Sequence, residues 1–93
     1  MKITKTLAKK IYYVLYSLED GGVEFGDAAY DDMLIFLTKP VEEGIDVMVK
    51  NQYRTDSDFH ANPDTNMLQY RKACKQDIEK MRKLYKKFQT KGN

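Results

Sequence analysis

Ser57, Asp58 and His60 are the one place in this 93-residue chain where a hydroxyl, a carboxylate and an imidazole fall close together. Nucleophilic catalysis needs a nucleophile, a base and an orienting group that converge in space. These three sit in a polar stretch, Arg54 to Ala61, that reads as a solvated loop without a scaffold to aim them. The alternation of Asp56, Asp58, His60, Asn62 and Asp64 has the look of a calcium loop. Such a loop needs glycine at its sixth position for the sharp turn and glutamate at its twelfth as a bidentate ligand. Counted from Asp56, those positions hold Ala61 and Met67, so helix capping and solubility explain the alternation better.

Other chemistry is no better supplied. Cys74 is the only cysteine, which excludes an intramolecular disulfide, and with His60 it makes two soft ligands where a structural zinc needs four. Gly21, Gly22 and Gly26 lack the spacing and the lysine of a phosphate loop. The adjacent pairs Asp31–Asp32 and Glu42–Glu43 do not converge for acid–base work, because on a strand neighbouring side chains point to opposite faces. The expectation is a protein that is not an enzyme and carries no cofactor and no metal.

The elements that position these residues are clear at both ends. Thr4 or Thr6 can cap a first helix in which Leu7, Ile11, Val14, Leu15 and Leu18 share a face, and Asp20-Gly21-Gly22 ends it. Asn62-Pro63-Asp64 starts a last helix running to about Gln89, with Met67, Cys74, Ile78, Met81, Tyr85 and Phe88 as its apolar stripe. At 1.5 Å per residue that helix is roughly 40 Å long, enough to extend past the domain and meet a second copy of the chain.

Two readings compete for the middle. Met33 to Leu37 is a short apolar run of the kind that forms a buried strand, and Ile45, Val47 and Val49 alternate with Asp46, Met48 and Lys50. With Lys39 to Gly44 as the turn, the pair reads as a hairpin, and Val23 to Ala28 can add a third strand. This predicts an α+β fold: one domain over residues 1–93, with an N-terminal helix, a two- or three-stranded antiparallel sheet and a long C-terminal helix. The rival is an all-α bundle. There Asp27 caps a helix through Leu37, and Thr38 caps one with Val41, Ile45, Met48 and Val49 on a face, weakened at Gly44 by about 1 kcal/mol.

Composition narrows the function. Hydrophobic residues at 42% and charged residues at 32% are ordinary for a globular domain, which argues against disorder as the default. The longest uncharged apolar run, Ile11 to Tyr16, is far short of the ~20 residues of a membrane span, and Lys9 and Lys10 interrupt any signal-peptide core. With one cysteine and no span, the expected compartment is the cytoplasm.

The net charge of +2 conceals polarity along the chain. Residues 1–18 carry +4, residues 19–66 carry −9 and residues 67–93 carry +7. On the last helix Arg71, Lys72, Lys75, Arg82, Lys83 and Lys86 spread away from the apolar stripe, as phosphate contacts would require. On the first helix Lys5, Lys9, Tyr12 and Tyr16, with Tyr13 nearby, lie opposite the Leu7–Leu18 face, and tyrosine suits recognition. Asp31, Asp32, Glu42, Glu43 and Asp46 form the anionic counterpart. In size, lysine and tyrosine richness and lack of catalytic residues, the chain resembles accessory proteins of phages and mobile elements. That resemblance implies a regulator or inhibitor of host nucleic-acid machinery, CRISPR effectors included. The expected function is protein binding, possible partners including a nucleic-acid-handling complex; the alternative is direct phosphate binding by the last helix.

Overall fold

Thr4 opens the first helix as expected: its Oγ1 accepts a hydrogen bond from the Leu7 N–H at 3.1 Å, satisfying one of the orphan donors of the first turn. The computed structural model describes residues 3–16, 27–54 and 63–91, with the backbone alone at 16, 63–66, 90 and 91. Its elements are α1 (Lys5–Tyr16), α2 (Asp27–Thr38), α3 (Val41–Asn51) and α4 (Pro63–Lys91). Among the described residues there is no strand.

The α+β expectation is therefore corrected to the all-α alternative. Met33 to Leu37 belongs to α2, which contacts α1, α3 and α4. A helix covered on several sides needs apolar residues around most of its circumference, so five in a row fit it. Met33 and Phe36 are buried, while Leu34, Ile35 and Leu37 are half-buried. The alternation over residues 45–49 is the second misleading pattern. Ile45 and Met48 are buried three apart, and Val41 and Val49 flank them at four, which is helical spacing.

The proposed hairpin turn is instead a helix–helix joint. Pro40 disfavours a helical Lys39, which ends α2, and Pro40 itself becomes the N-cap of α3 with φ −53° and ψ 144°. Its carbonyl accepts from the Glu43 and Gly44 N–H groups at 3.0 and 3.3 Å. Thr38, expected as a cap, turns its hydroxyl back to donate to the Leu34 carbonyl. Glu42 and Glu43 sit at the positive end of α3 and Lys50 at its negative end, each favourable to the helix dipole. The expected third strand at 23–28 lies outside the described residues up to position 26, and from Asp27 onward it is helix.

The last helix is the spine. At 29 residues it runs about 43 Å and contacts all three other helices. Tyr70, Cys74, Ile78 and Met81 are buried, with Tyr85 and Phe88 packed against the same core. Its length is thus used within the domain from Tyr70 to Phe88. No helix of the described residues is long and apolar enough to cross a membrane.

Candidate binding surface

Polar side chains at the helix ends hold the frame before any surface is free to bind. Arg82, from the middle of α4, donates from Nε to the Phe36 carbonyl at 2.9 Å and from a terminal nitrogen to the Lys39 carbonyl. It therefore caps the C-terminus of α2, where carbonyls lack helical partners. Arg71 binds Asp46 at 2.9 Å and Glu42 at 3.1 Å, joining α3 to α4. Its pKa is raised, first by the hydrogen bond to Asp46 and also by Glu42. Both arginines of the expected phosphate-contacting set are thus spent on the fold. Lys72, Lys75, Lys83 and Lys86 of that set are exposed.

The anionic residues are largely committed as well. Asp32 accepts from the Tyr53 hydroxyl at 2.6 Å and from Asn51 Nδ2 at 3.1 Å. Tyr53 is wedged edge-on between Tyr12 and Phe36, with ring centroids 6.2 and 5.3 Å away, and its burial and the Asp32 carboxylate raise its pKa. Glu42 and Asp46 meet Arg71, and Asp27 meets Lys5 across the starts of α2 and α1. Asp31 and Glu43 are exposed. The expected acidic patch is thus divided among several intramolecular partners.

The face of α1 is rotated from the one read in the sequence. Ala8, Ile11 and Tyr12 are buried, and Leu7 and Leu15 are half-buried, so Tyr12 lies in the core and not opposite it. Desolvation raises its pKa. Val14, assigned to the buried stripe, is 52% exposed. In this orientation Tyr12 packs edge-on against Tyr53, a residue that sequence analysis left in no element. Tyr13 is half-buried with Lys9 Nζ 5.4 Å over its ring. Lys5 is exposed, bonded to Asp27 and 5.8 Å over the Tyr30 ring. Tyr16 ends α1, its side chain outside the described residues.

The rotation opens a groove. Lys10 Nζ stands 4.4 Å over the Phe88 ring, and Val14 and Leu15 share a cavity of about 350 Å³ with Lys80, Lys83 and Leu84. These pairings mean that α1 runs antiparallel to the C-terminal half of α4. The groove has an apolar floor and a lysine rim. Among the described residues no carboxylate pairs with Lys72, Lys75, Lys80, Lys83 or Lys87; of the two α4 acids whose side chains are described, Asp77 is buried against Arg54 and Glu79 makes no ion pair. Lys80, Leu84 and the flank position of Val14 were missed in the sequence. The one signal was that Val14 and Leu84 sit at the edge of their apolar stripes.

The catalytic reading of Ser57, Asp58 and His60 lies outside the described residues, as does the calcium reading from Asp56 to Asn62; its last member, Asp64, falls in the first turn of α4. Among the described residues no group of three or more His, Cys, Asp or Glu could hold a metal ion. Cys74 is fully buried, and desolvation pushes its thiol up to about 11, well away from the range of a nucleophilic cysteine. No family model, curated protein or solved structure matches this chain.

Proposed function

We propose that this chain is a non-catalytic binding domain of the regulator or inhibitor kind, and that it engages a protein partner through the basic side built by α1 and α4. One observation carries the reading: lysines with no carboxylate partner among the described residues border an apolar groove, whereas the acids of α2 and α3 are largely consumed within the fold. A mixed apolar and cationic surface suits a protein that offers apolar and anionic groups together. Charge complementarity would supply encounter rate and selectivity, the apolar floor the dwell time.

A second reading keeps one specific support. Lys72, Lys75 and Lys83 of α4 are exposed, which suits contacts to phosphates. The two readings part in one experiment. In affinity capture from nuclease-treated extract, the protein reading expects a partner that the Lys80→Glu, Lys83→Glu double variant loses. Recovery that depends on intact nucleic acid, together with a salt-sensitive gel shift abolished by Lys75→Glu and Lys83→Glu, would replace it with the phosphate reading.

A further inference from the structure

We propose that the α1–α4 groove is the seat of an acidic amphipathic helix from the protein partner. Two apolar side chains about one turn apart on that helix lie over Val14, Leu15 and Leu84, while its carboxylates meet Lys80 and Lys83. This rests on the protein-binding reading above and adds the shape and chemistry of the occupant.

Three features select that occupant. The groove runs between antiparallel helices, so a third helix can lie along it in the way amphipathic helices enter grooves through anchors spaced three or four residues apart. An extended peptide gains affinity by adding to a sheet edge, and the described residues contain no strand to extend. The charge is one-sided: Lys80 and Lys83 line the groove, Lys10 and Lys87 are exposed on the same two helices, and none of the four is ion-paired among the described residues.

The rival occupants fit less well. A phosphodiester backbone meets lysines but presents little aliphatic surface to Val14, which is 52% exposed and the only exposed large hydrophobic of α1 among the described residues. The cavity is near the lower end of the about 300–1,000 Å³ typical of small-molecule sites, and it is bounded by two helices.

The test is fluorescence anisotropy at low salt with a labelled synthetic helix of ~16 residues, leucines at i, i+4 and i+7 and glutamates elsewhere. The full chain is used, with a scrambled peptide of the same composition and a single-stranded oligonucleotide of similar charge as comparators. The helical peptide is expected to bind at least tenfold tighter than either comparator. Val14→Glu and Lys80→Glu should each weaken it at least tenfold, while Lys72→Glu with Lys75→Glu, at positions that do not line the groove, should change it less than about twofold. Circular dichroism confirms folding, and Val14→Ala replaces Val14→Glu if the charge prevents it. Equal binding of the scrambled peptide overturns the helix seat and leaves the protein-binding reading standing. Preference for the oligonucleotide overturns both, and absence of binding, or binding indifferent to Val14, overturns the seat.

Discussion

Gly44 has Ile78 where its side chain would be: a Cβ built on Gly44 falls 2.9 Å from Ile78 Cδ1, and next nearest is Phe36 Cδ1 at 3.5 Å. Three helices meet at that point, so the glycine that weakens α3 by about 1 kcal/mol in propensity is the one that lets α3 approach α4. Ile78 Cδ1 is the far end of a flexible side chain, so the clash is soft. Gly44→Ala should accordingly change stability by less than about 1 kcal/mol, propensity offsetting strain. Ile78→Val removes the clashing methyl and alone should cost about 1 kcal/mol. In the Gly44→Ala background it should cost measurably less, a coupling read by urea denaturation of all four proteins. Strict additivity would mean that the contact does not limit the packing.

Gly44 also shows what the sequence could and could not disclose. The outer helices were legible because their stripes run far enough for a 3.6-residue period to separate from a period of two. Ile45 to Val49 spans five residues, over which the two periods share most positions, and glycine beside proline suggested a turn. What settled the segment is a contact with Ile78, 34 positions away, which no local pattern contains. The groove was hidden for the same reason. Val14 sits on the edge of its stripe, and Tyr12, which goes inward while Val14 goes out, packs on Tyr53 from just beyond α3, 41 positions away. The lysines of α4 were legible as exposed residues, but the internal use of Arg71 and Arg82 was not, since a cap and an ion pair to other helices leave no local trace.

Arg82 and Lys83 are neighbours with opposite assignments, and their variants should separate. Arg82→Lys keeps the charge but loses the planar fork that reaches the Phe36 and Lys39 carbonyls together. It should cost about 1–2 kcal/mol and speed amide exchange near the end of α2. Lys83→Glu should leave stability within about 0.5 kcal/mol while weakening partner binding. If Arg82→Lys were neutral in stability, the guanidinium cap would have no energetic weight.

Arg54 and Asp77 make the most buried ion pair described. Asp77 is 5% exposed, and Tyr70 holds the same segment by donating its hydroxyl to the Arg54 carbonyl at 2.9 Å. Removing one partner strands charge in low dielectric, so Arg54→Ala should destabilise by about 3 kcal/mol. Replacing both with apolar residues, Arg54→Met with Asp77→Leu, should cost less than the single change. Denaturant midpoints decide the matter, and a double variant worse than Arg54→Ala would show that the pair contributes net stability.

Cys74 sets an alkaline limit. Its thiol, ordinarily at 9.0, is pushed up to about 11 in the folded protein, chiefly by desolvation and secondarily by Asp77. Between those values the unfolded chain releases a proton that the folded chain retains, so stability falls as pH rises through the window. The contribution is fully present below pH 9. Two pH units correspond to roughly 2–3 kcal/mol. Tyr12 and Tyr53, also raised, act in the same direction above pH 10. Thermal denaturation from pH 8 to pH 11 should show a decline that Cys74→Ala makes shallower, and an identical slope in the variant would refute the assignment to this thiol.

Gln52 is the place where the fold tolerates strain that one substitution can release. It follows α3 in the left-handed region, φ 53° and ψ 50°, and is the only non-glycine with positive φ among the described residues. There its N–H reaches the Val49 carbonyl at 3.3 Å, and the next N–H, of Tyr53, reaches Met48 at 3.1 Å, which closes the helix. An L side chain in this region costs about 1 kcal/mol, and Gln52 is exposed, so its side chain returns little in packing. Gln52→Gly removes the steric cost but gives the unfolded chain more freedom, so the net gain should be below about 1 kcal/mol. Gln52→Val, β-branched and ill-suited to positive φ, should lose at least that much. Because Tyr53 follows directly and orients Tyr12, the valine variant should also perturb α1 and weaken binding at the groove, whereas the glycine variant should not. Equal stabilities for the two variants would mean that the left-handed turn at Gln52 does not close α3.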